Sequence, residues 1–124
     1  MTNEQIDELL AEIGRAPLLT KEGEQALLKA VKEKGTDCIE MTQLEKANMR
    51  FVVSLVNQYQ NRGVTFEELI EEGKAGLRIA AENYDSDSKT KFIAFAVPQM
   101  RKSIEVLITH NRLKNEKGGN TKGE

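Results

Sequence analysis

Four carboxylates, Glu67, Glu68, Glu71 and Glu72, are spaced so that a helix gathers them on neighbouring turns. Carboxylates do acid/base chemistry when their surroundings push their pKa values apart. A run of this density on one helix reads instead as a solvated face. His110 is the single histidine and has no cysteine near it, and the Asp/Glu pairs lack metal-ligand spacing. Glu72-Gly73-Lys74-Ala75-Gly76 has the glycines and lysine of a phosphate loop. It lacks the preceding strand and the Ser or Thr that must follow the lysine. No Gly-x-Ser-x-Gly occurs. The expected protein is therefore not an enzyme: no catalytic residue, no metal site and no cofactor is predicted.

Charge gives a different hint. Residues 1–100 hold 12 Lys/Arg and 17 Asp/Glu, a net of -5, whereas residues 101–124 hold six and three, a net of +3. A basic end on an acidic body suits an anionic partner, or is simply a solvated tail. Cys38 is the only cysteine. A lone thiol fits a reducing cytosol, so the expected location is cytoplasmic. No stretch is long and apolar enough to span a membrane, and no secretory signal opens the chain.

The 124 residues, 39% hydrophobic and 31% charged, suit one domain able to bury its own core. The elements that must position any site read as helices throughout. Asn3 can cap a first helix with Ile6, Leu9, Leu10 and Ile13 on one face, stopped by Gly14 and followed by a turn at Arg15-Ala16-Pro17. Thr20 can cap a second, with Leu27, Leu28 and Val31 as its stripe and Gly35 as its stop. A third is predicted from Thr36 or Asp37 to about Asn61, roughly 36 Å long. Its expected buried face is Ile39, Leu44, Ala47, Phe51, Val52, Leu55, Val56 and Tyr59.

Thr65-Phe66-Glu67-Glu68 is a capping box that opens a fourth helix. Its apolar stripe is Phe66, Leu69, Ile70, Gly73, Leu77, Ala80, Ala81 and Tyr84. Two glycines inside a helix, Gly73 and Gly76, each cost up to about 1 kcal/mol against alanine, which points to close backbone approach by a neighbour. After a turn at Asp85-Ser86-Asp87-Ser88 comes a last amphipathic segment with Phe92, Phe95, Ala96, Met100, Ile104, Leu107 and Ile108. Pro98 requires that this helix either start near it or be kinked. The expected fold is a compact all-α domain of about five helices over residues 1–113. Residues 114–124 are expected to be a disordered polar tail.

The ordered series Leu44 to Ser54, Tyr59, Asn61-Arg62-Gly63, Leu69-Ile70-Glu71-Glu72-Gly73, Gly76-Leu77, Ala80-Ala81, Tyr84-Asp85, Lys91-Phe92 and Phe95-Ala96 resembles region two of the sigma-70 family of bacterial RNA polymerase initiation factors. Residues 6–27 resemble the segment that precedes region two in primary sigma factors. The resemblance implies a helical domain with two partners. One is core RNA polymerase, through the clamp helices of its largest subunit. The other is promoter DNA at the upstream hexamer; with a body of net charge -5 over residues 1–100 and few cations for phosphates, that contact is expected to be weak and to form mainly within the polymerase complex.

Carried onto this chain, the resemblance implies polymerase binding at Glu68, Glu71, Lys74 and Arg78, and DNA binding at Lys91, Phe95, Arg101 and Lys102. It also shows departures. Glu71, Lys74 and Arg78 stand where the family commonly has glutamine, asparagine and methionine. Asp87, Ser88 and Lys89 replace a basic pair and a glycine, which removes phosphate contacts and adds an anion. The tryptophan pair of primary factors is Pro98-Gln99 here; Ala96-Val97-Pro98 resembles the stress, sporulation and flagellar branches instead. Phe95 keeps an aromatic face for a flipped base, or is a core residue like Phe92. A full sigma factor continues into regions three and four, which this sequence does not reach, so a truncated factor is expected. Three roles stay open at this point: a truncated initiation factor, a polymerase-binding competitor that has lost promoter melting, and a helical adaptor.

Overall fold

The structure is a computed structural model that describes residues 3–15, 19–85 and 87–122, with the side chains of residues 3, 6, 12–15 and 115–122 left aside. Five α-helices and one 3₁₀ turn make up the described chain: α1 Asn3–Arg15, α2 Lys21–Lys34, α3 Ile39–Val56, the 3₁₀ turn Asn57–Tyr59, α4 Phe66–Asn83 and α5 Phe92–Lys122.

Local chemistry explains most of the boundaries. The Thr20 hydroxyl accepts from the Gly23 N–H at 2.9 Å and caps α2. Gly35 ends it at φ 87°, with its N–H donating to the Val31 carbonyl at 2.7 Å. The predicted capping box forms at α4. Thr65 Oγ1 accepts from the Glu68 N–H at 3.0 Å, and Glu68 Oε1 accepts from the Thr65 N–H at 2.8 Å. That N–H, with the Thr65 hydroxyl, holds the Glu68 carboxyl below its ordinary value. Glu68 therefore stabilises the fold above the ordinary carboxylate pKa, and the contribution is lost as pH falls through the lowered one. Thr65→Ala should cost about 1 kcal/mol of stability. Urea denaturation at neutral pH checks this, and an unchanged midpoint would mean that the cap carries nothing.

Four boundaries differ from expectation. Gly14 lies inside α1, which runs on to Arg15. The expected turn at Arg15-Ala16-Pro17 falls largely outside the described residues, as do the Ile6 and Ile13 side chains and Ser86. α3 starts at Ile39, because Cys38 is fully extended (φ -146°, ψ 163°); its thiol donates to the Gly35 carbonyl at 3.2 Å instead of capping the helix. The same helix ends at Val56. Its last turn tightens into the 3₁₀ segment, and the chain leaves through Asn61 and Gly63, both left-handed (φ 65° and 86°). Finally, α5 starts at Phe92 and holds Pro98 seven residues in, so the helix does not begin at the proline. It carries on to Lys122, past Lys114, where composition predicts an unstructured tail. Residues 112–117 contain no proline or glycine, so nothing in the backbone stops the helix there.

The core is shared by four helices. Leu28 and Val31 of α2, Met41, Leu44, Val52 and Val56 of α3, Leu69, Leu77, Ala80 and Ala81 of α4, and Phe92, Ala96, Met100 and Ile104 of α5 are all buried. Leu9 of α1 packs against this cluster, while Leu10 is exposed. The predicted stripe of α4 is buried along its whole length. α4 and α5 share the most extensive contact in the molecule. A Cβ on Gly76 would stand 2.6 Å from the Met100 Cα, so the two backbones meet there, as the in-helix glycine predicts. Gly73 serves a different neighbour: it faces the Val52 and Val56 side chains of α3.

Candidate functional site

The residues that could meet a partner fall on one stripe of α4 and one of α5. Along α4, Glu67, Glu71, Lys74 and Arg78 recur at helical spacing and share a face. Lys74 Nζ lies 3.4 Å from Glu71 Oε2. Arg78 Nε donates to Glu45 Oε2 of α3 at 2.5 Å. That carboxylate is the main reason the Arg78 guanidinium sits above its ordinary value, with smaller attraction from Glu71 and Asp37. Glu68 lies at the start of the helix, with its carboxylate committed to the capping box.

Along α5, Lys91, Phe95 and Lys102 fall on one stripe and are exposed. Lys91 is the residue before α5, and its carbonyl accepts from the Phe95 N–H at 3.1 Å. Phe95 is 38% exposed, with its ring tilted 59° against Tyr84 at a centroid distance of 5.4 Å. Phe92 is buried and meets the same Tyr84 edge-on at 5.4 Å. The Tyr84 hydroxyl donates to the Thr90 carbonyl at 2.5 Å and so ties down the loop before α5. Of the two aromatic residues, Phe92 is core and Phe95 lies at the surface.

Arg101 does not join this stripe. It points toward the end of α3, donating from Nη1 to the Tyr59 hydroxyl at 3.1 Å, and that hydroxyl donates to Glu105 Oε2 at 2.9 Å. Part of its donor set is engaged inside the protein.

Sequence reasoning missed Phe51 and Glu45. Phe51 was expected on the buried face of α3 but is 46% exposed. It lines a groove with Leu19, Lys21, Lys89, Lys91 and Ile93: an apolar floor with three lysines. Burial pushes the carboxyl of Glu24, in the same groove, above its ordinary value. Glu45 and Asn48 are buried although polar. Asn48 Nδ2 donates to the Leu44 carbonyl at 2.9 Å. The run Met41, Leu44, Glu45, Asn48, Val52, Leu55 has helical spacing and was the available signal for both.

Among the described residues, no helix is long and apolar enough to cross a membrane. Residues 44–113 match the family model for sigma-70 region 2. The chain belongs to the sigma-70 region 2 family. This region 2 chain is 40% identical over 102 residues to the RNA polymerase sigma factors SigA of Listeria monocytogenes and of Listeria innocua; each match covers 82% of this chain and 27% of the relative. It is 36% identical over 102 residues to the SigA of a Bacillus species, covering 82% of this chain and 26% of that protein. The chain thus spans about a quarter of the length of the curated relatives it matches. The matched span contains α4 and most of α5, the two helices that carry both exposed stripes.

Proposed function

We propose that this region 2 chain docks on core RNA polymerase through the exposed stripe of α4. Within that complex, α5 contacts the opened strand of the promoter upstream hexamer. Its assigned contacts are Glu68, Glu71, Lys74 and Arg78 for polymerase, and Lys91, Phe95 and Lys102 for DNA, with Arg101 reaching DNA only if it leaves Tyr59. The observation that carries the DNA half is Phe95: a large apolar ring left half in solvent on the same stripe as Lys91 and Lys102. A flat ring beside cations suits a flipped base and its phosphate. The groove beside Phe51, with its lysines, offers a second such surface, and Phe51, Lys89 and Lys91 all lie within the matched span.

Contact with DNA outside the complex is weak in this reading. Asp87 and Ser88 supply no cation, and Arg101 is engaged by Tyr59. Every phosphate left without a cation makes binding less salt-dependent, by about 0.9 in the log–log slope. The same two observations favour a second reading, in which the domain occupies polymerase without opening DNA and competes with other sigma factors. Both readings place the chain on core polymerase, in transcription initiation.

The experiment is a pull-down of the full chain with bacterial core RNA polymerase, followed by binding of single-stranded upstream-hexamer DNA to the purified complex. A complex at micromolar protein that retains the oligonucleotide is expected. A complex that ignores the oligonucleotide leaves the competitor. Failure to form a complex at micromolar protein removes both and leaves a helical adaptor.

A further inference from the structure

Arg101 and Lys102 are consecutive on α5, so they leave the helix about 100° apart. Lys102 is exposed on the stripe with Phe95, whereas Arg101 is half-buried on the flank that faces the end of α3. It meets Tyr59 there, the last residue of the 3₁₀ turn, which is buried. A phenol has one proton and two lone pairs. The proton goes to Glu105 Oε2 at 2.9 Å, so the hydroxyl can only accept from Arg101, and Nη1 donates to it at 3.1 Å. The turn is held against α5 from a second point as well. Asn111 Nδ2 donates to the Gly63 carbonyl at 2.8 Å, which ties down the chain just after Tyr59.

Two acceptors therefore compete for one guanidinium. The Tyr59 hydroxyl is neutral and a DNA phosphate is an anion, to which hydrogen bonds are roughly twice as strong. To reach a phosphate, however, Arg101 must first give up Tyr59 and turn toward the stripe. The Glu105 carboxylate, four residues along the same helix, favours the inward position by opposite charge. We infer that Tyr59 is a positioning residue that holds Arg101 off the DNA-facing stripe, with Glu105 orienting its hydroxyl, and so sets how many phosphates α5 can engage. Tyr59 itself touches no DNA. With Arg101 held, the stripe offers Lys91 and Lys102; with Arg101 released, a third cation joins them. The ligand concerned is the sugar–phosphate chain of a single strand, and the inference rests on the reading that α5 faces that strand.

Binding of a labelled single-stranded upstream-hexamer oligonucleotide to the full chain, alone and on core polymerase, is measured by fluorescence anisotropy. The salt series starts at about 50 mM, where phosphate contacts are strongest, and each variant is also denatured thermally. Tyr59→Phe keeps the buried ring and removes only the hydroxyl. Arg101 is half-buried and Glu105 exposed, so water can satisfy both and the fold is retained. This variant should bind about three- to tenfold more tightly, the worth of the one hydrogen bond that Arg101 no longer has to break. The slope of log affinity against log salt should steepen by about 0.7, one further phosphate on a single strand. A role confined to packing would shift the melting temperature and leave that slope alone. The gain must also run through Arg101: made in an Arg101→Gln background, Tyr59→Phe should change neither affinity nor slope. A Tyr59→Phe chain that binds like the wild type, or a gain that persists without Arg101, overturns the inference while the DNA reading stands. No binding by any of these proteins, alone or on core polymerase, overturns the DNA reading and the inference with it.

Discussion

Gly76→Ala should destabilise the domain by about 2 kcal/mol, although alanine is the better helix former. The new methyl would lie 2.6 Å from the Met100 Cα and 3.0 Å from both the Gln99 carbonyl oxygen and the Met100 nitrogen. All three are backbone atoms of α5, so no rotamer change relieves the clash. The two helices must move apart along the contact that buries Leu77, Ala80, Ala96 and Met100. Overpacking of this kind costs about 1–3 kcal/mol, and backbone contact puts the case at the upper end. The helix-propensity gain of about 1 kcal/mol offsets part of that. Gly73→Ala is the control. Its methyl meets the Val52 and Val56 Cγ1 atoms at 3.1 and 3.4 Å, side-chain contacts that need a shift of only a few tenths of an ångström, against the 2.6 Å backbone approach at Gly76. Chemical denaturation of the pair should separate them by more than 1 kcal/mol, roughly a factor of five in the folding equilibrium. Equal stability would mean that the α4–α5 contact gives way more easily than the geometry implies.

The contrast between these two glycines shows what the sequence could and could not convey. Both stand inside a strong helical period, and both signal a near neighbour. Only the packed structure shows that one neighbour is backbone and the other is side chain. The period itself was enough for the fold: the stripe of α4 is buried as read, and that of α2 is buried at Leu28 and Val31 and half-buried at Leu27, because helical spacing and capping are local properties. The ends of α3 were less legible. Neither Thr36 nor Asp37 starts the helix: Cys38 is extended, its thiol turns back to the Gly35 carbonyl, and Lys34 Nζ lies 2.7 Å from Glu40 Oε2 across the α2–α3 link. The site divides in the same way. Spacing alone puts Glu71, Lys74 and Arg78 on one stripe. It gives no sign that Arg101 is drawn to Tyr59, 42 residues away, or that Arg78 is anchored on Glu45, 33 residues away. These pairings depend on how α3 packs against α4 and α5. The Arg78 pairing also explains how Glu45 can occupy a buried position on the α3 stripe.

Phe95→Ala should leave the fold and polymerase binding in place while weakening capture of single-stranded upstream-hexamer DNA by about 5- to 150-fold, the equivalent of one base–aromatic stack of roughly 1–3 kcal/mol. A fully buried phenylalanine cut to alanine costs about 3–5 kcal/mol, because a cavity is left behind. Phe95 is 38% exposed and its main ring contact is the tilted one with Tyr84, so no closed cavity forms. Loss of that aromatic pair costs about 0.5–1.5 kcal/mol, which the domain can absorb. Phe92 is the internal comparison. It meets the same tyrosine at the same distance but is buried, so Phe92→Ala should lower the melting temperature and impair both activities together. The discriminating measurement is therefore made on three proteins at once: melting temperature, affinity for core polymerase, and oligonucleotide binding by the complex. Phe95→Tyr should keep most of the oligonucleotide affinity, since the π face survives. If Phe95→Ala folds, binds polymerase and holds the oligonucleotide as tightly as the wild type, the exposed ring does not capture a base. Promoter contact would then have to come from the lysine-lined groove at Phe51, or the competitor reading would take over.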